Sequence, residues 1–237
     1  TKKLYGALSE EEKALDEVKV GYEAIESFEG VNLLEELAGS GTETDPWLVS
    51  SEEELKDAIG KNEYGYDCIQ LTKDISVSDV IRIPEYCEVT VDLDGHTLSS
   101  SYWQAILVGE GGNIMVKSGT LESNGIAIYA DGFGAVITVA EDGVIKSQND
   151  GIKVTGECYA TINVYGTLEA DNFGIYSTCG VDGKSNTVNV FSGAKISSSN
   201  TAAIKLESTG DSANITGGTI SGRDGIAICS GTLKISG

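Results

Sequence analysis

Histidine is nearly absent from this sequence. His96 stands alone, which removes the Cys/His zinc patterns and most histidine-based acid–base pairs. Methionine occurs once, as Met115, and proline twice, as Pro46 and Pro84. So few prolines suit long runs of strand pairing, because proline removes a ladder donor. No apolar run approaches 18 residues, so no transmembrane helix and no membrane insertion are expected. Lysine and arginine number 16 against 37 acidic residues, a formal net charge of −21, and they form no cluster. Nucleic acid is thereby excluded as a partner, since its binding needs clustered cations, and an anionic membrane surface is disfavoured for the same reason. The five cysteines, Cys68, Cys87, Cys158, Cys179 and Cys229, contain no C-x-x-C pair. They read as buried free thiols acting as small hydrophobes, with disulfides between coils as the minor reading.

Glycine is plentiful instead, at 30 residues, and it recurs at regular intervals. Gly-Ile ends the segments Asn124-Gly125-Ile126, Asp150-Gly151-Ile152, Phe173-Gly174-Ile175 and Asp224-Gly225-Ile226, with Ala203-Ile204 filling the gap. A second column, Gly-x-Leu/Ile, holds Leu121, Ile145, Leu168 and Ile220, with Ile196 one residue late. A third alternates apolar residues: Val89/Val91, Ile114/Val116, Ile137/Val139, Ile162/Val164, Val188/Val190, Ala213/Ile215 and Leu233/Ile235. Three short strands per period of about 25 residues, with no helix between them, exclude βαβ units. The expected fold is mainly β: a right-handed parallel β-helix, three strands per coil, stacked coil on coil.

Stacking predicts ladders of like residues. Leu121, Ile145, Leu168, Ile196 and Ile220 form one inward ladder; Ile126, Ile152, Ile175, Ile204 and Ile226 form another. Ser123, Ser147, Ala170, Ser198 and Gly222 suit a narrow corner. Asn149, Asn172 and Asn200 are read as a structural amide ladder, against the alternative that asparagine merely tolerates a turn. The Asn-Gly and Asp-Gly turns read as places where glycine accepts a positive φ. Outward charges alternate as Glu122, Lys146 and Glu169, which avoids like charges on neighbouring strands.

The N-terminal 60 residues carry 16 acidic and 5 basic side chains, denser in charge than the rest. Two domains follow: a helical leader over 1–38, beginning at the capping box Ser9–Glu12, and a β-helix over 39–237. The latter includes a cap at 50–60, where Ser51–Glu54 is a capping box and Leu55, Ala58 and Ile59 form an apolar stripe. The chain opens on Thr1 and stops partway into a coil at Gly237, so part of a larger multidomain chain is expected.

The segment Val89–Leu98 (V-T-V-D-L-D-G-H-T-L), followed by Gly111–Val116 (G-G-N-I-M-V) and Gly119–Leu121, resembles the pectate-lyase-like β-helix regions of Gram-positive bacterial surface proteins. Gly41–Val49 with Glu54 and Leu55 is similar to the entry segment of such domains, and Tyr5–Leu15 is similar to a small helical repeat of wall proteins. The resemblance implies an adhesin-like module, extracellular or on the cell wall. The same fold hosts lyases and hydrolases, so activity must be argued from the site. Pectate lyases of this fold hold calcium with clustered aspartates. Here the weak candidates are Asp92, Asp94 and Asp150; calcium has no supporting ligand set and no cofactor is expected. Polygalacturonases of the fold carry paired aspartates, a Gly-His-Gly and an Arg-x-Lys, of which Gln148–Lys153 is a faint echo.

The function expected is therefore non-catalytic binding of a polysaccharide or host surface, with a polysaccharide lyase or glycoside hydrolase, or a structural stalk, as alternatives. Candidate ligand-binding residues are an outward amide column, Asn163, Asn189 and Asn214, continuing from Thr90, Met115 and Thr138. Tyr165 and Phe191 sit at equivalent turn positions beside it. Tyr102 and Trp103 occupy a looser turn. Activity is to be sought where the register breaks, at 100–112, 155–160 and 177–187.

Overall fold

The structure, a computed structural model, describes residues 37–61, 65–156, 159–179 and 184–236. The leader expected over 1–38 lies outside them, apart from its last two residues. From Trp47 onward the chain winds as a parallel β-solenoid of about eight turns, about 24 residues each. Sheet 1 has nine strands: Trp47–Val49, Tyr66–Leu71, Glu88–Asp92, Asn113–Lys117, Val136–Val139, Thr161–Val164, Thr187–Val190, Ser212–Ile215 and Thr232–Ile235. Sheet 2 has seven, from Ile75–Val77 to Thr219–Ser221, and sheet 3 has seven, from Ile81–Ile83 to Ile226–Ile228. Each coil gives one strand to each sheet, so neighbours in a sheet are one turn apart in sequence.

The alternation in these short strands places every second side chain inside. Leu98, Leu121, Ile145, Leu168, Ile196 and Ile220 stand in register, as expected. So do Val89, Ile114, Ile137, Ile162, Val188, Ala213 and Leu233. The third ladder corrects the expectation at one place. Ile128, not Ile126, pairs with Ile106 and Ile152, and Ile126 pairs with Gln104. The strand Ile126–Ala130 is longer than its successor Ile152–Val154, so its Gly-Ile step falls two residues ahead of the ladder. Each fully buried Ile or Leu contributes roughly 1.5–3 kcal/mol.

The corner glycines have a different cause from the one expected. Gly125, Gly151 and Gly174 lack a positive φ; of the Gly-Ile column only Gly225 has one. A Cβ on Gly125 would lie 2.3 Å from the Trp103 carbonyl oxygen, and one on Gly174 2.4 Å from that of Ala203. Close approach of the adjacent coil excludes a side chain there. The serines at the same corner do more than save space. Ser100, Ser123, Ser147 and Ser198 stack around Ala170, and each hydroxyl accepts from a backbone N–H two or three residues on, as from Gly125 (3.1 Å) and Asn149 (3.0 Å).

The solenoid's first coil is closed by the helix Glu52–Ala58, which buries Leu55 and Ala58. Ser51 Oγ accepts from the Glu54 N–H, and Glu54 reaches back to the Ser50 N–H, one residue earlier than in the usual box. Inside this end, the fully buried Asp67 accepts from Trp47 Nε1 and the Gly60 N–H, both at 3.2 Å. Of the described cysteines Cys68 and Cys87 are buried, but Cys179 is half-buried and Cys229 exposed, and Cys158 lies outside the described residues.

Glu52 ties the cap to the wall. Its carboxylate takes the Lys56 ammonium at 2.7 Å and both the N–H and hydroxyl of Ser78 at 3.0 Å. The Lys56 bond, helped by Ser78, holds its pKa at about 2, against 4.5 unperturbed. A depressed carboxyl pKa contributes stability that is full above the unfolded value and lost as pH falls through the folded one. Glu52→Gln should thus cost about 1 kcal/mol at neutral pH, a value reduced for the pair's partial exposure. It should also flatten the loss of stability between about pH 5 and pH 2; urea denaturation across that range measures both.

Candidate functional site

The outward column of sheet 1 lies in the expected register: Thr90, Met115, Thr138, Asn163, Asn189, Asn214. It is not uniformly open. Thr90 and Thr138 are buried, and Thr90 shares a 3.0 Å hydrogen bond with Tyr66 Oη. The three asparagines are half-buried and bonded to each other. Asn189 Nδ2 donates to Asn163 Oδ1 at 2.9 Å, and Asn214 Nδ2 to Asn189 Oδ1 at 3.0 Å. Tyr165 and Phe191 stack with ring centroids 4.0 Å apart and planes 4° from parallel. Each ring thereby gives one face to the other, and the amides are largely satisfied internally.

The continuous amide ladder is thus on sheet 1, not in the set read as structural. Among Asn149, Asn172 and Asn200, Asn172 Nδ2 reaches Asn149 Oδ1 at a long 3.4 Å and prefers Asp150 Oδ1 at 2.6 Å. Among the described residues no side-chain bond joins Asn200 to Asn172; the link there is backbone, Asn200 N–H to Asp171 C=O.

The carboxylate candidates do not converge. Asp92 and Asp94 do not share a strand face. The strand ends at Asp92, and Asp94 turns with φ +46°. Asp92 has a partner on the next coil, Lys117, in register and at 3.1 Å, while Asp94 accepts from Gln70 Nε2 at 2.8 Å. Asp150 is buried, holding Asn172 Nδ2, the Phe173 N–H at 3.2 Å and Lys153 at 3.6 Å. Its bonds make it a brace between coils. Among the described residues no three His, Cys, Asp or Glu side chains gather as metal ligands would.

Two clusters were missed in the sequence although both fall on repeat positions: Lys153, Tyr176 and Lys205 follow the ladder residues Ile152, Ile175 and Ile204, and Asn186 and Asp211 precede the in-register pair Thr187 and Ser212. On sheet 3, Tyr129, Lys153, Tyr176 and Lys205 stand outward in register. Lys153 and Lys205 lie 5.1 and 5.5 Å from the Tyr176 ring centroid, and Phe173 stacks on Tyr176 at 5.3 Å. Burial and a hydrogen bond to Glu207 push the Tyr176 hydroxyl up to about 12. Lys205 also pairs with Glu207, at 2.6 Å, so this face is neutralised within itself.

The second cluster is buried, across the 177–187 break. Asp211 Oδ2 accepts from Ser177 Oγ at 2.9 Å, and Oδ1 from the Asn186 N–H at 2.8 Å. Asn186 Nδ2 donates to Ser177 Oγ, and its Oδ1 accepts from the Ala160 N–H, both at 3.0 Å. All three side chains are fully buried. Burial raises the Asp211 carboxyl above its ordinary value, against the pull of its donors.

Concavity is found on sheet 2. A polar groove of about 440 Å³ is lined by Glu122, Lys146 and Glu169, with Asn124, Gln148 and Asp171 along its edge. Glu122 pairs in register with Lys146, and Lys146 with Glu169, in the expected alternation, yet among the described residues no ion pair closes between them. The turn 100–103 stacks on the coil that supplies Asn124: the Asn124 N–H donates to the Ser100 C=O and the Ile126 N–H to the Trp103 C=O. Trp103 is 59% exposed and Tyr102 36%, their rings tilted and 6.1 Å apart. The register break at 100–112 therefore sets an aromatic pair beside the coil at one end of the groove.

No protein family, curated protein or solved structure matches this chain. The structure defines its class as a parallel β-solenoid of about eight turns. No helix among the described residues is long and apolar enough to cross a membrane.

The buried cluster makes the clearest stability test. Asp211→Ala leaves the Ser177 hydroxyl and the Asn186 N–H without their acceptor, which should cost roughly 2–4 kcal/mol in urea denaturation. Because the folded pKa is raised, ionising Asp211 opposes folding. The wild type should lose stability, relative to Asp211→Asn, as pH rises through that pKa.

Proposed function

We propose that this chain is a non-catalytic, adhesin-like module that binds a carbohydrate chain along the sheet 2 groove. The observation that carries the reading is the exposed Tyr102–Trp103 pair beside the coil at the end of a groove lined by amides, carboxylates and a lysine. Sugar rings have apolar faces that stack on aromatics and hydroxyl edges that bond such side chains. A surface location, on the bacterial wall or outside the cell and within a larger chain, accords with the acidic, elongated architecture and with the resemblance of Val89–Leu98 to pectate-lyase-like surface domains. Glu122 and Glu169 lie two rungs apart, about 10 Å at the ordinary strand spacing. An inverting hydrolase would need room for a water between two such carboxylates, and Lys146 holds the rung between. The pair is thus read as binding, not catalytic.

Trp103→Ala should lower affinity for a bound glycan about tenfold or more while leaving the far-ultraviolet circular dichroism unchanged. Binding to a panel of neutral, amino and acidic oligosaccharides, with each glycan left chemically intact, is the expected result. Depolymerisation of any of them that is lost in Glu122→Gln would defeat the non-catalytic reading.

A further inference from the structure

We infer that the groove's ligand is a β-1,4-linked glycan carrying free amines, of the deacetylated glucosamine type, and not a uronate or sulfated chain; this rests on the glycan reading above. Two independent features point there. The first is charge. Glu122, Glu169 and Asp171 face the groove against one cation, Lys146, on a chain of net charge −21. Anionic sugars meet both local and long-range repulsion, and ammonium groups meet attraction. With no ion pair closed between Lys146 and either glutamate among the described residues, the two carboxylates are not committed to an internal partner.

The second feature is spacing. Rungs of the sheet repeat at about 4.8 Å along the solenoid axis. An extended β-1,4-linked hexose is close to one rung long, and successive sugars in such a chain face opposite ways. Alternate sugars therefore present the same edge two rungs apart, which is the separation of Glu122 and Glu169. A chain lying along the axis sets the amine of every second sugar against a glutamate, and each pair is a charge-assisted hydrogen bond. Lys146, on the intervening rung, meets the hydroxyl edge of the sugar that faces away.

The test compares three hexasaccharides by calorimetry at about pH 5.5 and 0.15 M salt, where long-range attraction is largely screened. They are glucosamine, N-acetylglucosamine and galacturonate hexamers. The glucosamine hexamer should bind best. Glu122→Gln/Glu169→Gln should weaken it at least about tenfold, the loss of one or more charged hydrogen bonds. Glu85→Gln/Glu88→Gln removes the same charge at exposed positions outside the groove, and should change affinity less than about twofold. Equal losses in the two double variants would mean bulk attraction to an acidic protein and would overturn the inference. So would tighter binding of the acetylated or uronate hexamer; if Trp103→Ala then abolished it, the glycan reading would stand without the amine preference. Failure of all three hexamers to bind would remove both.

Discussion

Everything in this solenoid depends on the parallel backbone ladder that joins each coil to the next in fixed register. Every second residue of a strand faces inward, so a slip of one residue would turn a whole apolar column into solvent. Register is held at each rung by stacking branched apolar side chains on their like: Ile137 on Ile162, Ile145 on Leu168, Ile152 on Ile175. The turns absorb the variation in coil length. This is why Val136–Val139, Thr161–Val164 and Thr187–Val190 stay aligned although the stretches of sequence before them differ in length.

The same constraint governs the polar residues. A rung repeat close to one hydrogen bond plus one amide lets Asn163, Asn189 and Asn214 bond in sequence with their backbones in place. Tyr165 and Phe191 stack for the same reason. At corners, where strand pairing lapses, buried polar groups must be satisfied by side chains, since an unpaired one costs more than a made one contributes. Ser147 serves the turn beside it, and Asp211, Asn186 and Ser177 close a gap between coils.

Columns of like residues were legible in the sequence because stacking imposes them directly. The ladders through Leu121 and Ile114, the charge alternation at Lys146 and the cap at 51–58 all follow from spacing and residue type. What escaped was set by the third dimension. Ile126 matched the Gly-Ile pattern, but a longer strand gives its place to Ile128. The corner glycines looked like turn residues, whereas a carbonyl on the next coil excludes their side chains. Asp92 was a calcium candidate by residue type, but the register sets Lys117, 25 positions on, beside it. The Asp211 cluster does fall on a repeat position, since Asn186 and Asp211 each precede the in-register pair Thr187 and Ser212, but the same position holds Ala135 and Ala160 on earlier coils, so no column of like residues announced it.

Regularity also bears on function. A column that repeats without change on every coil is accounted for by stacking, and the sheet 1 asparagines are largely spent on one another. The sheet 3 lysines are likewise spent on Asp150, Glu207 and Tyr176. Sheet 2 differs. Its outward column runs Ser99, Glu122, Lys146, Glu169, Ser197, and the three charged side chains in the middle are exposed. Charges at adjacent rungs that do not close on each other retain their capacity to bond something else. The turn at 101–103 breaks the corner pattern of the later coils and exposes the larger of the two aromatics beside them. An exposed strip of uncommitted charge next to an exposed tryptophan is a surface where stacking leaves the side chains unexplained, and under the proposed reading a linear chain laid along the axis would use both parts at once.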